Sequence, residues 1–257
     1  MNLLKDSITE LLSMKSYPKQ IYYDGNLELL KGVKVSIVGS RKPTKYSRQM
    51  IQKLSSQLGR VGVCIVSGGA MGIDAIAHSG AGSANTIAVL PCGVNIRYPA
   101  VNKNLLNDIQ KKGLLLSQFD IGFIATPWSF VVRNELVVAL GQVLIVGEAE
   151  INSGTMRSVE FALKMDKKIY VLPQRLGESC ATNQLVKEGK AEVIYDIDEF
   201  VSKFGISEEV EIKNDEFIEF CKTNPTYDET LKKFPDRVFE AELSGEIEIE
   251  NGKIISN

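Results

Sequence analysis

From Val33 to about Tyr195 the chain alternates two hydrophobic rhythms. Short apolar runs rich in β-branched residues are separated by longer stretches whose apolar positions recur every three to four residues. The short runs predict strands at Val33 to Val38, Val63 to Val66, Thr86 to Leu90, Leu114 to Ser117, Gln142 to Val146, Lys168 to Leu172 and Glu192 to Tyr195. The stretches between them predict helices near Ser47 to Gly59, Ile73 to Gly80, Asn102 to Lys111, Phe130 to Leu140, Thr155 to Met165 and Asn183 to Glu188. Strands that are apolar on both faces and separated by helices belong to a parallel sheet covered on both sides, so the pattern predicts a doubly wound α/β domain.

The ends of the chain depart from this rhythm. Residues 1 to 32 carry an apolar helical stretch (Ile8, Leu11, Leu12), followed by YPKQIYYDGNLELL, which reads as extended chain leading onto the sheet. After Gly205 the segment ISEEVEIKNDE is polar and acidic, which places a domain boundary there: residues 1–205 form the α/β domain and residues 206–257 a small second one. The second part predicts helices near Glu216 to Lys222, Tyr227 to Lys233 and Arg237 to Leu243. It closes with EIEIENGKIIS, in which Asn251-Gly252 separates two alternating runs as a hairpin turn does. Three short helices and a hairpin suggest a winged helix.

Charge changes the picture more in its distribution than in its sum. The net charge of the 257 residues is -2, but residues 1–205 hold 24 Lys and Arg against 18 Asp and Glu, whereas residues 206–257 hold 6 against 14. A basic domain and an acidic one call for different partners. The four cysteines (Cys64, Cys92, Cys180, Cys221) are widely spaced and the chain has one histidine, so neither a zinc site nor a disulfide framework is expected. No stretch approaches the roughly 20 apolar residues of a spanning helix, and residues 1 to 30 carry charges where a signal peptide would be apolar; a cytoplasmic protein with no membrane contact is expected.

Candidate chemistry gathers in loops that follow strands, where an open α/β sheet binds its ligands. In the first, Gly39-Ser40-Arg41-Lys42, glycine admits close approach, serine offers a hydroxyl and two cations can pair with phosphate. The second, SGGAMGID at residues 67 to 74, sets glycines including Gly68 and Gly69 before a helix with Asp74 at its start. The third, INSGTMRS at residues 151 to 158, contains Ser153 and Gly154. Taken singly, each glycine is as well explained by turn geometry as by a ligand; three such loops at one sheet edge point to a polyanion. Neither G-x-G-x-x-G nor G-x-x-x-x-G-K-[ST] is present, which argues against a nucleotide-hydrolysing motor. In PWSFVVRNELVVALG (127–141), helical spacing turns Val131, Leu136, Val137 and Leu140 towards the sheet. It leaves Phe130, Arg133 and Asn134 at the helix start, able to stack a base and hold a phosphate, unless Phe130 and Trp128 are simply core. His78 stands without a nucleophile motif and reads as a packing or solvated residue. The sequence offers binding loops, no catalytic set, no metal site and no cofactor motif.

With these segments in view, residues 17 to 257 resemble the DNA processing protein A family, also called Smf. The resemblance is carried by YPKQIYYDGN, VSIVGSRKPT, IVSGGAMGIDAIAH, IAVLPCGVNIRYPAVNKNL, LLLSQF, FVVRNELVVALG, SGTMRSVEFAL and VLPQRLGESCATNQLVKEG, in the family's order and spacing. It implies an extended Rossmann-like domain that binds single-stranded DNA, dimerises and passes strands to the RecA recombinase during natural transformation, without catalytic turnover. The implied strand-binding pocket uses Gly39, Ser40, Arg41 and Lys42 of the first loop, Gly68 and Gly69 of the second, Phe130, Arg133 and Asn134 of the helix start, with Ser153 and Gly154 in the third loop's place. Four positions depart from the family pattern: Val132 where a basic residue is frequent, Glu135 and Met71 where arginine is common, and Ala181 in place of a glycine. The tail matches the family's winged-helix domain in outline. Its third predicted helix, RVFEAELSGE, is net acidic, so it is expected to contact protein instead of duplex DNA.

Two other readings come from different classes. Enzymes of the same Rossmann-like superfamily cleave nucleoside monophosphates with a PGGxGTxxE loop. Here NSGTMRSVE lacks the glycine pair and sets Glu160 five residues past Thr155 instead of three, which misplaces the carboxylate. A purely protein-binding module is the third reading, separable by salt-dependent oligonucleotide binding.

Overall fold

The computed structural model describes residues 2–204 and, beyond them, 216–221, 223, 225–235, 237–238, 241, 247–250 and 252–256. Its contacts divide the chain into two compact units, residues 1–206 and 207–257.

The first unit is a nine-stranded sheet ordered β1-β2-β6-β5-β4-β3-β7-β8-β9. Seven strands are mutually parallel: β3 (Lys34–Val38), β4 (Cys64–Ser67), β5 (Thr86–Val89), β6 (Leu114–Ser117), β7 (Leu144–Val146), β8 (Ile169–Val171) and β9 (Glu192–Val193). The chain winds outward from β3 through β4, β5 and β6, returns to place β7 on the other side of β3, and continues to β8 and β9. This is a doubly wound, Rossmann-like sheet whose direction of winding reverses at β3 and β7.

Period-two alternation sorts the strand side chains. Val35, Ile37, Val63 and Ile65 pack under α1 (Lys45–Arg60), α2 (Ile73–Ala81) and α7 (Ile197–Ser202). Val38, Cys64 and Val66 face α4 (Pro127–Leu140), α5 (Thr155–Lys164) and α6 (Cys180–Lys187). α3 (Lys103–Lys112) covers β5 and β6 with Leu106 and Ile109. Apolar residues on both faces of each central strand explain why the strands read as continuous hydrophobic runs.

The N-terminal segment extends the sheet. β2 (Tyr22–Gly25) pairs antiparallel with β6, Tyr22 opposite Ser117, and β1 (Asn2–Leu3) pairs antiparallel with β2. An antiparallel edge needs no crossover helix, so a short entering segment suffices. The predicted apolar helix is one 3₁₀ stretch, Thr9–Ser13; Ile8, Leu11 and Met14 bury, whereas Leu12 is 72 % exposed and contributes nothing to the core. A segment this short forms the tighter turn more readily than an α-helix.

α4 begins three residues before the expected Phe130. Thr126 and Ser129 form a capping box and Pro127 occupies the first turn, where its missing N–H costs nothing. α6 likewise starts at Cys180, and α7, which the apolar rhythm did not announce, is capped by the Asp196 side chain accepting from Glu199 N–H. Among the described residues no helix is long and apolar enough to cross a membrane. Cys64, Cys92 and Cys221 are buried and Cys180 is half-buried; burial pushes Cys64 up to about 12 and Cys92 up to about 11, which leaves both as inert packing groups.

The second unit contains α8 (Glu216–Cys221), α9 (Tyr227–Lys233) and a hairpin of β10 (Ile247–Glu250) with β11 (Lys253–Ser256). Its core gathers Phe217, Cys221, Val238, Ala241, Ile247 and Ile254. Glu250 pairs with Lys253 across the turn and Gly252 has φ +76°, the left-handed backbone that a tight hairpin requires. The predicted helix Arg237 to Leu243 lies partly outside the described residues.

Candidate nucleic-acid interface

The first and second loops leave adjacent strands at their carboxyl ends and are bound together by backbone. Ser40 N–H donates to the Glu148 carbonyl (2.8 Å), and Ile73 N–H donates to the Ser40 carbonyl (3.1 Å). Gly72 makes this approach possible. It has φ +79°, and a Cβ there would lie 2.2 Å from the Ser40 carbonyl oxygen and 2.7 Å from Arg41 Cα. Gly39, at the end of β3, lies against the Ile73 side chain and the Glu148 carbonyl. Within the first loop, Lys42 N–H donates to Ser40 Oγ (3.1 Å); Arg41 and Lys42 are exposed.

Under the second loop two opposite charges, Arg133 and Asp74, lie buried beside Gly68. Arg133 is only 4 % exposed; its Nη1 donates to the carbonyls of Gly68 and Val89 (the latter at 2.7 Å), and its Nε donates to Asn134 Oδ1 (3.0 Å). Asp74 Oδ2 accepts from Gly68 N–H (3.2 Å) and Ala70 N–H (3.4 Å). A Cβ on Gly68 would lie 2.5 Å from the Arg133 guanidinium and 2.7 Å from Asp74 Oδ2, so this close packing needs glycine. Burial pushes the Asp74 carboxyl above the ordinary carboxylate range against the pull of Arg133 and the two amides; burial draws the Arg133 guanidinium down, which Asp74 opposes and the charge of Arg41 reinforces. Arg133 thus supports the Gly68–Gly69 loop through Nη1, beyond the phosphate contact that sequence reasoning expected of it, and it still lines the cavity beside Arg41.

His78 is fully buried within reach of the Arg133 charge. Thr86 Oγ1 donates its one proton to the Ile65 carbonyl (2.8 Å), so the 2.5 Å contact between His78 Nδ1 and Thr86 Oγ1 requires the imidazole to carry its proton on Nδ1. Nε2 is buried without a partner, and burial together with Arg133 lowers the pKa to about 3. The histidine is a neutral packing group.

Phe130 is the hinge of the exposed part. The Arg41 guanidinium carbon sits 5.4 Å and that of Arg133 5.9 Å from its ring centroid, within cation–π range, and Tyr98 meets it edge-on at 5.7 Å. Arg41, Gly68, Met71, Tyr98, Phe130 and Arg133 line a shallow cavity of about 30 Å³. Two expectations for the same helix change: Val131 is exposed instead of facing the sheet, and Trp128 is 63 % exposed, its ring edge against Phe119 (5.8 Å), instead of core. Asn134 is half-buried, occupied by Arg133. The third loop leaves β7 on the far side of β3. Ser153 and Gly154 form the turn that starts α5 and do not line the Arg41 cavity; Ser153 Oγ is buried without a partner.

Sequence reasoning missed Tyr98, although Arg-Tyr-Pro at residues 97–99 is a constrained exposed aromatic between two strands. It also missed a second groove of about 560 Å³ at the start of α1, lined by Thr44, Lys45, Tyr46, Gln174 and Arg175 among others. Among the described residues no cluster of His, Cys, Asp and Glu could hold a metal ion.

Comparison with known proteins places this geometry. A family model described as DNA recombination-mediator protein A matches residues 5–205. The chain is 34% identical over 184 residues to the DNA processing protein DprA of Streptococcus pneumoniae, covering 70% of this chain and 65% of that one. To Protein Smf of Synechocystis it is 33% identical over 203 residues, covering 76% and 51%. The chain thus spans between about half and two thirds of the length of these relatives. Among solved structures, DNA processing protein A of Helicobacter pylori, described by its single-stranded DNA binding mode, superposes with a TM-score of 0.77 at 39% identity over 79% of this chain and 94% of that one. The Streptococcus pneumoniae structure gives 0.72 at 32% over 78% and 71%. With the Rossmann-like sheet, the loop order and the family match in agreement over residues 5–205, the chain belongs to the DNA processing protein A family.

Proposed function

We propose that this protein binds single-stranded DNA at the first loop and the start of α4, in DNA processing during transformation and recombination. The observation that carries the reading is the exposed Arg41 guanidinium at the carboxyl edge of β3, beside Lys42 and against the aromatic pair Phe130 and Tyr98: a phosphate-pairing group coupled to an aromatic surface. Cations meet the backbone of any nucleic acid, but an aromatic surface is useful only to bases that are not paired and stacked, so the combination favours single strands. The similarity to a Helicobacter pylori relative described as binding single-stranded DNA supports it. Gly39, Ser40 and Lys42 present the first loop to phosphate; Gly68 and Gly69, held from below by Arg133 and through it Asn134, fix the floor, and Ser153 and Gly154 flank the strand on the far side of β3. Delivery of the strand to RecA, a homodimeric assembly, a cytoplasmic location and the absence of catalytic turnover belong to the same proposal. The second unit is proposed as a winged-helix-like domain whose acidic surface meets protein.

The test is a titration of labelled oligothymidine, with duplex as competitor, into wild type and Arg41→Ala across a salt series. With Arg41 and Lys42 as the two exposed cations of the loop, their phosphate contacts contribute about -1.4 to the slope of log K against log salt, and Arg41→Ala shallows it by about 0.7 while weakening binding by about 1 kcal/mol or more. Equal binding of duplex and single strand, or an unchanged slope in Arg41→Ala, would refute the assignment.

A further inference from the structure

Phe130 has little ring left to offer: it is half-buried, engaged by two guanidiniums and met by the edge of Tyr98. Tyr98 is the reverse case. It is 44 % exposed and lines the same cavity as Arg41, and its neighbours in the chain are pinned. Arg97 on one side donates Nη1 to the Val94 carbonyl (2.8 Å), Nε to Asn107 Oδ1 (2.9 Å) and Nη2 to Gln110 Oε1 (2.5 Å). On the other side, Pro99 precedes the short turn Ala100–Asn102, and Asn102 Nδ2 donates to the carbonyls of Gly69 and Ala70, each at 3.0 Å. The second glycine loop and the Tyr98 segment are therefore tied together by hydrogen bonds, with Phe130 against the tyrosine ring. A fixed aromatic with two torsions loses little entropy on contact, which is what a stacking platform needs. Met71, also 44 % exposed, adds a polarizable wall to the cavity.

From this we infer that Tyr98, braced by Phe130, is the surface on which an unpaired base of the bound strand stacks, while Arg41 holds the adjoining phosphate. The inference rests on the single-strand reading above and names a base contact within it. The class of ligand is a nucleobase in a flexible strand, recognised by its π-face and hence with little regard to sequence.

The experiment compares two labelled oligomers of equal length and charge, oligothymidine and the same backbone carrying abasic sites, on the full chain as wild type, Tyr98→Ala and Tyr98→Phe, with thermal melts confirming that each variant is folded. Wild type is expected to prefer the base-bearing strand by about tenfold; Tyr98→Ala narrows that preference several-fold without changing the salt slope, and Tyr98→Phe retains it. If wild type shows the preference and a folded Tyr98→Ala keeps it whole, the stacking assignment is overturned while single-strand binding stands. Failure of wild type to bind either strand at low salt overturns both.

Discussion

Replacing Arg133 separates a supporting role from a ligand-binding one. In Arg133→Met the side-chain volume is largely kept, but Asp74 is left buried with the Ser67 hydroxyl and two long amide contacts (3.2 and 3.4 Å), and the Gly68 and Val89 carbonyls each lose their guanidinium donor. Leaving the two buried carbonyls without this donor costs about 1–3 kcal/mol each, and Asp74 loses the nearby positive charge that opposes its desolvation; at this site Arg133 also anchors the loop carrying Gly68 and Gly69. Urea unfolding followed by circular dichroism should therefore show a midpoint shift of that size. Arg133→Met with Asp74→Asn should recover part of the loss, since the neutral amide needs no counter-charge. Arg133→Lys should fall between, because one ammonium cannot span the carbonyls that the planar fork reaches. If Arg133→Met unfolds within about 1 kcal/mol of wild type yet loses its affinity for oligothymidine, the arginine faces ligand and the reasoning from burial is wrong.

Two further perturbations test neighbouring groups. The pKa of His78 is lowered from 6.5 to about 3, so the folded state refuses a proton that the unfolded chain accepts; its contribution is complete above pH 6.5 and is lost as pH falls from there towards 3, at about 1.4 kcal/mol per pH unit. Unfolding free energies at pH 7, 6, 5 and 4 should trace that decline, and a folded His78→Gln should flatten it; parallel curves would refute the assignment. Gly72→Ala should cost at least about 2 kcal/mol in chemical denaturation, from positive φ plus contact with the Ser40 carbonyl, whereas Gly82→Ala, at φ +78° with open space around it, should cost only about 1 kcal/mol. Equal losses would show that the loop backbones are not in the close contact described.

The amino-acid sequence alone determined the alternation of strands and helices, and with it a sheet covered on both faces, because a strand apolar on both sides has no other way to leave water. It also determined the order of the strand-end loops and the family motifs on them, since glycine, serine and arginine at a strand terminus are local signals. The hairpin Glu250 to Lys253 was legible for the same reason, as Asn-Gly is tied to one turn geometry. The start of α4 at Pro127 was written in Thr126, Pro127 and Ser129 as well, although the apolar spacing pointed to Phe130. What only the tertiary structure decided was which side chains of the site face water. Helical spacing could place Arg133 near Phe130, but its burial follows from the Gly68 loop closing over it and from Asp74 arriving on another helix. Tyr98 lies 32 residues before Phe130 in sequence and meets it only because β5 and α4 come together in space. Trp128 and Val131 stay exposed because nothing within the described residues covers them fully. Periodicity reports which positions are apolar; whether a given position is covered depends on surfaces contributed by residues far away in the chain, and only the assembled fold contains that information.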